Sequence, residues 1–328
     1  MDPNTAMEAA TEGAKALTRF QEIVQKIFGP RWTRKQADAD AYADERKLKT
    51  IRDNPDMEIV YIAGEMHARE RTPEMLAQRA EQRMLTEGIR QEENIENVLE
   101  IAAQELQQDD DVSNEAVDED WITRLFNIVK DINNKEMQYV WGKILAGEIK
   151  TPGSFSLRTL ETIRNLSQRD AQTFQKIIPL LFKFKNYIVI LQKTEILEKY
   201  DINYHDLLVL DECGLIKMKS DTGINANINT AIEIHSQNRI VFFKGIENNS
   251  RKLTYRIYPL TSAGVELYSI LSKEENVEYC IDFAKDVVKE NAGIKMEASI
   301  HEIASIDKDN TIHYAIDPLM VIKTEDLK

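Results

Sequence analysis

The sequence of 328 residues contains only two cysteines, three tryptophans, 8 prolines and 12 glycines. The two cysteines, Cys213 and Cys280, form no CxxC pair, which argues against a disulfide framework and favours a reducing compartment. No apolar run approaches the length of a membrane span. The first residues of the chain also lack the charged-then-apolar order of a secretory signal. We therefore expect a cytoplasmic protein.

Motifs that identify common enzymes are absent as well, since the sequence has no P-loop, no GxGxxG, no GxSxG and no HExxH. The five histidines are scattered, and His301 and His313, which a tail hairpin would bring together, have no cysteine or carboxylate support for a metal ion. We interpret Ser154 and Ser156 as turn or capping residues rather than as nucleophiles, because no histidine lies near them in sequence. The sequence therefore predicts no catalytic residue, no cofactor and no metal site.

The formal net charge of −14 is unevenly distributed. Residues 91–120 contain twelve acidic residues and no Lys or Arg, whereas residues 239–256 contain five basic residues and one acid, Glu247. The basic residues are Arg239, Lys244, Arg251, Lys252 and Arg256. We interpret this stretch either as an ordinary solvated β-hairpin or as a basic hairpin that tracks a phosphate backbone. The second interpretation makes nucleic-acid binding an alternative function.

The N-terminal third is rich in helix-forming residues. Residues 8–28 carry an apolar stripe at helical spacing, formed by Leu17, Phe20, Val24 and Ile27. Such a helix packs on its own protein or on another subunit. Alternatively, residues 8–35 form a membrane-surface helix with Trp32 at the lipid interface, which would place the protein at the inner membrane face.

Residues 33–54 and 66–107 are predicted to be helical, the second with Pro73 at its first position. The first is polar nearly all round, which is typical of a solvated helix or a coiled coil. We therefore predict an N-terminal helical arm over residues 1–110, which makes the protein oligomeric, and an acidic linker over residues 111–119.

The remaining chain is predicted to form three parts. Residues 120–190 show short amphipathic helices with turns between them, typical of a compact helical core. Residues 191–272 combine a helix ended by Gly214, β-branched strands and a further helix, which indicates a winged-helix-like α+β module. Residues 273–328 are predicted to form a helix and a β-hairpin. The expected fold is therefore mainly α with a C-terminal α+β part.

Within residues 118–174, the stretch 138–156 holds three of the twelve glycines, one of the eight prolines and one of the three tryptophans of the chain. The distinctive positions are Trp121, Arg124, Phe126, Met137, Gln138, Trp141, Gly142, Ala146, Gly147, Glu148, Pro152, Gly153, Ser154, Phe155, Ser156 and Arg158. On these residues the chain resembles a bacterial family, the domain of unknown function 2806. A more distant likeness, through residues 141–174 and the GLI and LTSAG segments, joins it to the abortive-infection alpha proteins. That likeness implies a phage-defence or prophage context and brings no catalytic residue.

We therefore expect a non-enzymatic, oligomeric interaction protein that acts in bacterial phage defence by binding a partner. We expect Trp121, Arg124 and Trp141 to organise its helical core. Gly142 and Gly147 are expected to let another helix approach closely. The polar corner formed by Glu148, Lys150 and Arg158 is the first place to look for a partner.

Overall fold

The computed structural model describes Phe20 and residues 73–107, 113, 115–219, 223–246, 252–271, 274–307 and 311–327. The chain divides into two compact units, Met1–Gly153 and Ser154–Lys328. The described part of the first unit is helical, and the second contains a nine-stranded antiparallel sheet with helices. The fold is therefore mixed α and β. The predicted helix over residues 33–54 lies outside the described residues, as does that over residues 8–28 apart from Phe20.

Three helices form the described part of the first unit: α1 (Pro73–Leu106), α2 (Glu119–Val129) and α3 (Lys135–Lys150). Helix α1 begins at Pro73, which confirms the predicted start. Asp118 and Asn134 cap α2 and α3, because their side chains accept hydrogen bonds from the backbone N–H groups of Trp121 and Met137. The capping residues thus define where α2 and α3 begin.

The C-terminal half of α1 packs against α3. Its buried side chains recur at spacings of three and four residues and lie on one helical face: Ile95, Val98, Leu99, Ala102 and Leu106. The residues of α1 that precede them are mostly exposed, from residue 77 to residue 93. One helix therefore has a core half and a surface half.

The helices of the second unit are short. They are α4 (Leu157–Arg164), α5 (Gln168–Ile177), α6 (Thr194–Leu197), α7 (Tyr204–Glu212), α8 (Ser262–Ile270) and α9 (Val277–Glu290), with 3-10 turns at Ile178–Leu180, Glu198–Tyr200 and Thr324–Leu327. Ser167 and Asp170 form a reciprocal capping box at the start of α5, as the sequence predicts. Gly214 follows α7 with a φ of +74°, which confirms its predicted place at a helix end.

Nine strands form the sheet in the described part of the second unit. They are β1 (Phe182–Phe184), β2 (Tyr187–Leu191), β3 (Gly223–Asn227), β4 (Ile232–His235), β5 (Arg239–Gly245), β6 (Lys252–Pro259), β7 (Met296–Ile306), β8 (Ile312–Tyr314) and β9 (Met320–Lys323). Their order is β3-β6-β2-β1-β4-β5-β7-β8, and β9 also pairs with β7. All the pairings are antiparallel.

Helix α9 packs on one face of the sheet through aromatic rings. The ring centroid of Phe283 lies 4.4 Å from that of Phe182 on β1 and 5.8 Å from those of Phe243 on β5 and Tyr255 on β6. No two of these three strands are neighbours in the sheet, so α9 packs across five strands, from β6 to β5.

The prediction of a basic hairpin over residues 239–256 is wrong. Strand β5 pairs with β4 and β7, and β6 pairs with β2 and β3, so three strands separate them in the sheet. The alternation of Leu253, Tyr255 and Ile257 identifies β6 as a strand but says nothing of its neighbours. The four basic residues that the structure describes, Arg239, Lys244, Lys252 and Arg256, are therefore not gathered on one hairpin.

The finer prediction of a winged-helix-like module with a separate hairpin tail is not confirmed. Strands from residues 182–191 and 296–323 belong to the same sheet as the strands between them. Strand β7 pairs with β5 over seven residues, from Arg239 opposite Glu302 to Gly245 opposite Met296. The boundary between the two units falls at Gly153, inside the stretch that the sequence treats as one helical core.

Candidate functional site

The sequence stretch 138–156 begins within α3 and contributes to the buried face of that helix. Trp141, Ile144 and Leu145 have no exposed surface. Trp121 and Phe126 of α2 are buried as well, whereas Arg124 is exposed. The prediction that both tryptophans belong to the core is thus correct. Arg124, three residues after the buried Trp121, is turned toward solvent at the edge of this helical face, and its expected part in organising the core stays a prediction.

A buried amide network connects α1 to the α2–α3 connection. Gln138 Nε2 donates hydrogen bonds to Asn94 Oδ1 at 2.9 Å and to the Ile132 carbonyl oxygen at 2.7 Å. Asn94 Nδ2 in turn donates to the Lys130 carbonyl oxygen at 2.9 Å and to Asn133 Oδ1 at 3.0 Å. Because the two amide side chains of Asn94 and Gln138 are buried, these hydrogen bonds hold the connection between α2 and α3 in place. Gln138 was named from the sequence, but Asn94 was not.

Gly142 lies where α3 meets α1. A Cβ atom at this position would come within 2.4 Å of Ile101 Cγ2 and 3.1 Å of the Val98 carbonyl oxygen. The prediction that Gly142 permits a close helix approach is therefore confirmed. Gly147 is half-buried, and its carbonyl oxygen accepts the Thr151 N–H at 2.9 Å near the end of α3.

In the turn after α3, side-chain carboxylates accept hydrogen bonds from backbone N–H groups. Buried Glu148 accepts the Gly153 N–H at 2.6 Å, and half-buried Pro152 precedes this glycine, whose φ is +84°. Ser156 caps α4 by accepting the Thr159 N–H, and its own N–H donates to Glu266 Oε2 at 2.8 Å. Arg158 on α4 is exposed. These contacts account for Glu148 and Ser156 as structural residues.

The surface half of α1 exposes most of its residues between 77 and 93. Met84 is 67% exposed, and Leu85 is exposed beside it. The charged side chains around them include an ion pair between Arg90 and Glu87. Met84 and Leu85 are thus neighbouring apolar side chains that are exposed on a helix whose other half is buried.

The predicted nucleic-acid contacts fall into different surroundings. Arg239 forms a largely buried ion pair with Glu275, whose carboxylate also accepts a hydrogen bond from Ser236 Oγ. Lys244 on β5 and Lys252 and Arg256 on β6 are exposed, and Arg251 lies outside the described residues. The charge of Arg239 is thus compensated within the protein.

A polar cluster that sequence reasoning missed lies between β2, β6 and α9. Lys193 Nζ donates to Asp286 Oδ1 and to Glu290 Oε1, both at 2.6 Å, and Tyr255 Oη donates to Asp286 Oδ2 at 2.7 Å. Burial lowers the pKa of Lys193, but the two carboxylate hydrogen bonds outweigh it and raise the pKa above its usual value. Burial and Asp286 raise the pKa of Tyr255. The four-residue spacing of Asp286 and Glu290 on a helix was the signal available in the sequence.

A second polar group surrounds His301 on β7. Its Nδ1 lies 2.8 Å from the Ala315 carbonyl oxygen, to which it donates, so its Nε2 can accept a hydrogen bond from Ser299 Oγ at 3.1 Å. His313 instead pairs with Asp307 at 2.8 Å. The tail hairpin therefore does not bring the two histidines opposite each other, because His313 pairs in register with Ser305. Among the described residues, no group of three His, Cys, Asp or Glu is placed to hold a metal ion.

The surroundings of both cysteines make their thiols poorly reactive. Cys213 at the end of α7 is half-buried, and burial together with Asp170 raises the pKa of its thiol to about 11. Cys280 on α9 is buried, and burial raises its pKa to about 12. A thiol with a raised pKa is a weak nucleophile at neutral pH. These environments are those of structural cysteines.

Within the part of the chain that the structure describes, no helix has the length and apolar character to cross a membrane. No curated protein matches the chain, and no solved structure does. A family described as "Protein of unknown function (DUF2806)" matches residues 78–284, which include α2, α3, all of β1 to β6 and most of α9. This match covers more than half of the sequence and includes the buried Trp141 of α3. The chain therefore belongs to the DUF2806 family.

Proposed function

We propose that this chain is a non-enzymatic interaction protein that self-associates through the surface half of α1, residues 77–93. The observation that carries the proposal is a change of environment along a single helix. The face of α1 that packs on α3 between Ile95 and Leu106 continues toward the N-terminus through half-buried Gly88 to the exposed Met84. We assign that continuing face to a second copy of the chain.

The continuity follows from the heptad spacing. Gly88 precedes buried Ile95 by seven residues, and Met84 precedes buried Val98 by fourteen. Residues separated by seven lie on nearly the same side of an α-helix. Ala77 and Ala80 fall on this side too, and the space beside Gly88 is open within 4 Å. Small residues around one exposed methionine permit a second helix to approach closely.

The charge of this segment also suits self-association. Residues 77–93 contain three arginines and four glutamates, a formal net charge of −1 in a chain whose total is −14. In a protein this acidic, most surfaces repel the same surface of a second copy. The surface of residues 77–93 is nearly neutral, so this repulsion is small there. A helix–helix contact between copies is therefore electrostatically tolerated here.

The test is the mass of the full chain in solution, measured by sedimentation equilibrium over a range of concentrations. We expect the wild type to be oligomeric and Met84→Glu to shift it toward the monomer, because a charge would be buried in the contact. Tyr187→Glu, an exposed apolar residue in the second unit, is the matched control and should leave the mass unchanged. A monomeric wild type, or an unchanged mass for Met84→Glu, would refute the proposal.

Point substitutions are needed because a deletion is not selective. Removing residues 1–111 would also remove Val98, Leu99 and Leu106, which are buried against the rest of the first unit. The loss of this core would change the folding of the unit together with its association. Met84→Glu alters an exposed side chain and leaves that core intact.

Nucleic-acid binding is a second candidate, supported by Lys252 and Arg256. These residues are four apart on β6, both exposed, and lie on the same face of the strand. Retention of the full chain on DNA or RNA should fall steeply with salt and be lost in Lys252→Glu/Arg256→Glu. Absence of retention at low salt would exclude this candidate.

Phage defence is the biological setting that we propose, and it rests on the resemblance to abortive-infection alpha proteins. Expression of the chain should lower phage plating efficiency relative to Met84→Glu if self-association is required. Equal plating with and without the chain would contradict the proposed setting. Membrane action through residues 8–35 remains a prediction for residues that, apart from Phe20, lie outside the described part of the chain.

A further inference from the structure

The C-terminal end of the second unit exposes an unusual amount of apolar surface. Of the fifteen large apolar residues that are exposed in the described part of the chain, six lie between residues 306 and 321. They are Ile306, Tyr314, Ile316, Leu319, Met320 and Val321. Ile316 is 90% exposed and Leu319 is 56% exposed. Clustered exposure of this kind marks a contact surface rather than ordinary surface scatter.

The six residues lie in the segments that form this end of the sheet: Ile306 at the end of β7, Tyr314 on β8, Ile316 and Leu319 in the connection to β9, and Met320 and Val321 on β9. Strands β8 and β9 both pair with β7, with Ile312 opposite Ile306 and Val321 opposite Ser299. The seven residue steps between these two positions on β7 correspond to about 23 Å. We call the six residues, together with the strand edge that carries them, the edge strip.

Backbone hydrogen bonds hold the middle of the edge strip in place. The Ala315 N–H donates to the Glu302 carbonyl oxygen at 2.8 Å, and the Leu319 N–H donates to the Ile300 carbonyl oxygen at 2.7 Å. The loop that carries Ile316 is therefore anchored to β7 at both ends. Exposed apolar side chains on an anchored loop need little further ordering when a partner binds.

The charges around the edge strip are mainly acidic. Exposed carboxylates occur at Glu302, Asp307, Asp317, Glu325 and Asp326. The described residues between 302 and 327 include one lysine, Lys323, and one histidine, His313, which pairs with Asp307. A ligand for this surface must therefore combine apolar side chains with positive charge.

We propose that the edge strip docks a lysine- and arginine-rich peptide segment of a partner protein, with apolar side chains on one side of that segment. The apolar side chains would lie on Ile316 and Leu319, and the basic ones would face the surrounding carboxylates. A second copy of this surface would bring the same carboxylates into contact, and an anionic membrane would be repelled for the same reason. The partner therefore differs from both.

The test measures peptide binding to the full chain by fluorescence anisotropy. Two synthetic peptides of equal length share the same leucine positions, and one carries lysine where the other carries glutamate. We expect the lysine peptide to bind and the glutamate peptide not to. Leu319→Asp and Asp317→Lys should each weaken binding of the lysine peptide about tenfold or more, and added salt should weaken it as well. Tyr187→Asp is the matched control for an exposed apolar residue and should bind like the wild type.

Each other outcome overturns the proposal. Equal binding of the two peptides would show that charge is not recognised. Unchanged binding in Leu319→Asp and Asp317→Lys would place the peptide elsewhere on this acidic chain. A change of oligomeric mass in Leu319→Asp would make the edge strip a contact between copies, and retention of anionic lipid vesicles that Leu319→Asp abolishes would make it a membrane contact. None of these results depends on self-association through α1.

Discussion

Gly142 of α3 packs directly against Ile101 of α1, where a Cβ atom at residue 142 would lie 2.4 Å from Ile101 Cγ2. The carbonyl oxygen of Val98 would lie only 3.1 Å away. The two helices are therefore closer here than any side chain larger than hydrogen allows. This contact explains why a helix interior contains glycine despite its low helix propensity.

Gly142→Ala should destabilise the first unit. Overpacking costs about 1–3 kcal/mol and the gain in helix propensity returns about 1 kcal/mol, so we expect a net loss of up to about 2 kcal/mol. Urea unfolding measures this change. Gly88→Ala in α1 is the matched control and should not destabilise, because nothing lies within 4 Å of its new methyl group. Recovery of stability in Gly142→Ala/Ile101→Ala would confirm the contact, and a stable Gly142→Ala would contradict it.

Gln138→Leu should cost about 2–3 kcal/mol of unfolding free energy, because it leaves Asn94 Oδ1 and the Ile132 carbonyl oxygen without this buried donor. Thermal and urea unfolding measure the loss. Gln91→Leu is the comparison, since its amide donates to Asp131 Oδ1 at 3.1 Å in an exposed setting. We expect it to cost about 0.5 kcal/mol or less. Equal effects would show that burial of the network is unimportant.

Glu275→Ala should destabilise the second unit by about 3 kcal/mol or more, because it leaves the largely buried Arg239 guanidinium without its carboxylate. Replacement of both residues in Arg239→Met/Glu275→Leu should recover most of the loss, since no unpaired charge then remains. Chemical unfolding of the single and double variants measures the coupling. Additive effects would contradict the pairing.

Alkaline pH should weaken the second unit through Tyr200. Burial and the Asp282 carboxylate, which accepts a hydrogen bond from Tyr200 Oη at 3.2 Å, raise the pKa of this phenol to about 12 from 10.0. The unfolded chain loses this proton first, so stability falls as the pH rises from 10 to about 12. Tyr200→Phe should remove that part of the decline, as urea unfolding at pH 9 and above would show. Parallel pH profiles of variant and wild type would refute the assignment.

The two thiols should resist alkylation in the folded protein. Raised pKa values of about 11 for Cys213 and about 12 for Cys280 leave little thiolate at pH 8. Reaction with a thiol reagent should be faster at Cys213, which is half-buried, than at Cys280, which is buried. Mass spectrometry of the modified chain identifies the order, and both should react rapidly in urea. Faster labelling of Cys280 would show that α9 opens more easily than its packing indicates.

Local signals in the sequence predicted helix ends well. Pro73 begins α1, Ser167 and Asp170 form the capping box of α5, and Gly214 follows α7. These features depend on a few neighbouring residues, because capping side chains and glycine act within one turn of the chain. The buried positions of Trp121 and Trp141 followed in the same way from helical periodicity.

Such local signals do not predict which strands pair, or which charged residues form ion pairs, when the segments are distant in sequence. Alternating residues identify β5 and β6 as strands, but nothing in either strand indicates that β2, β1 and β4 lie between them. Likewise, no signal in the sequence indicated that Arg239 forms an ion pair, which the fold provides by placing Glu275 beside it. A solvated arginine and a paired one have the same sequence signature, because the partner lies 36 residues away.

By itself, the sequence determined the local structure of this protein: its helical faces, their capped ends, the close-packing glycine of α3 and the family to which the chain belongs. Only the tertiary structure decided the order of the nine strands, the pairing of Arg239 and the exposure of the edge strip. The physical reason is that local conformation depends on neighbouring residues. Strand order, burial and ion pairing depend instead on which distant segments meet when the apolar faces are buried.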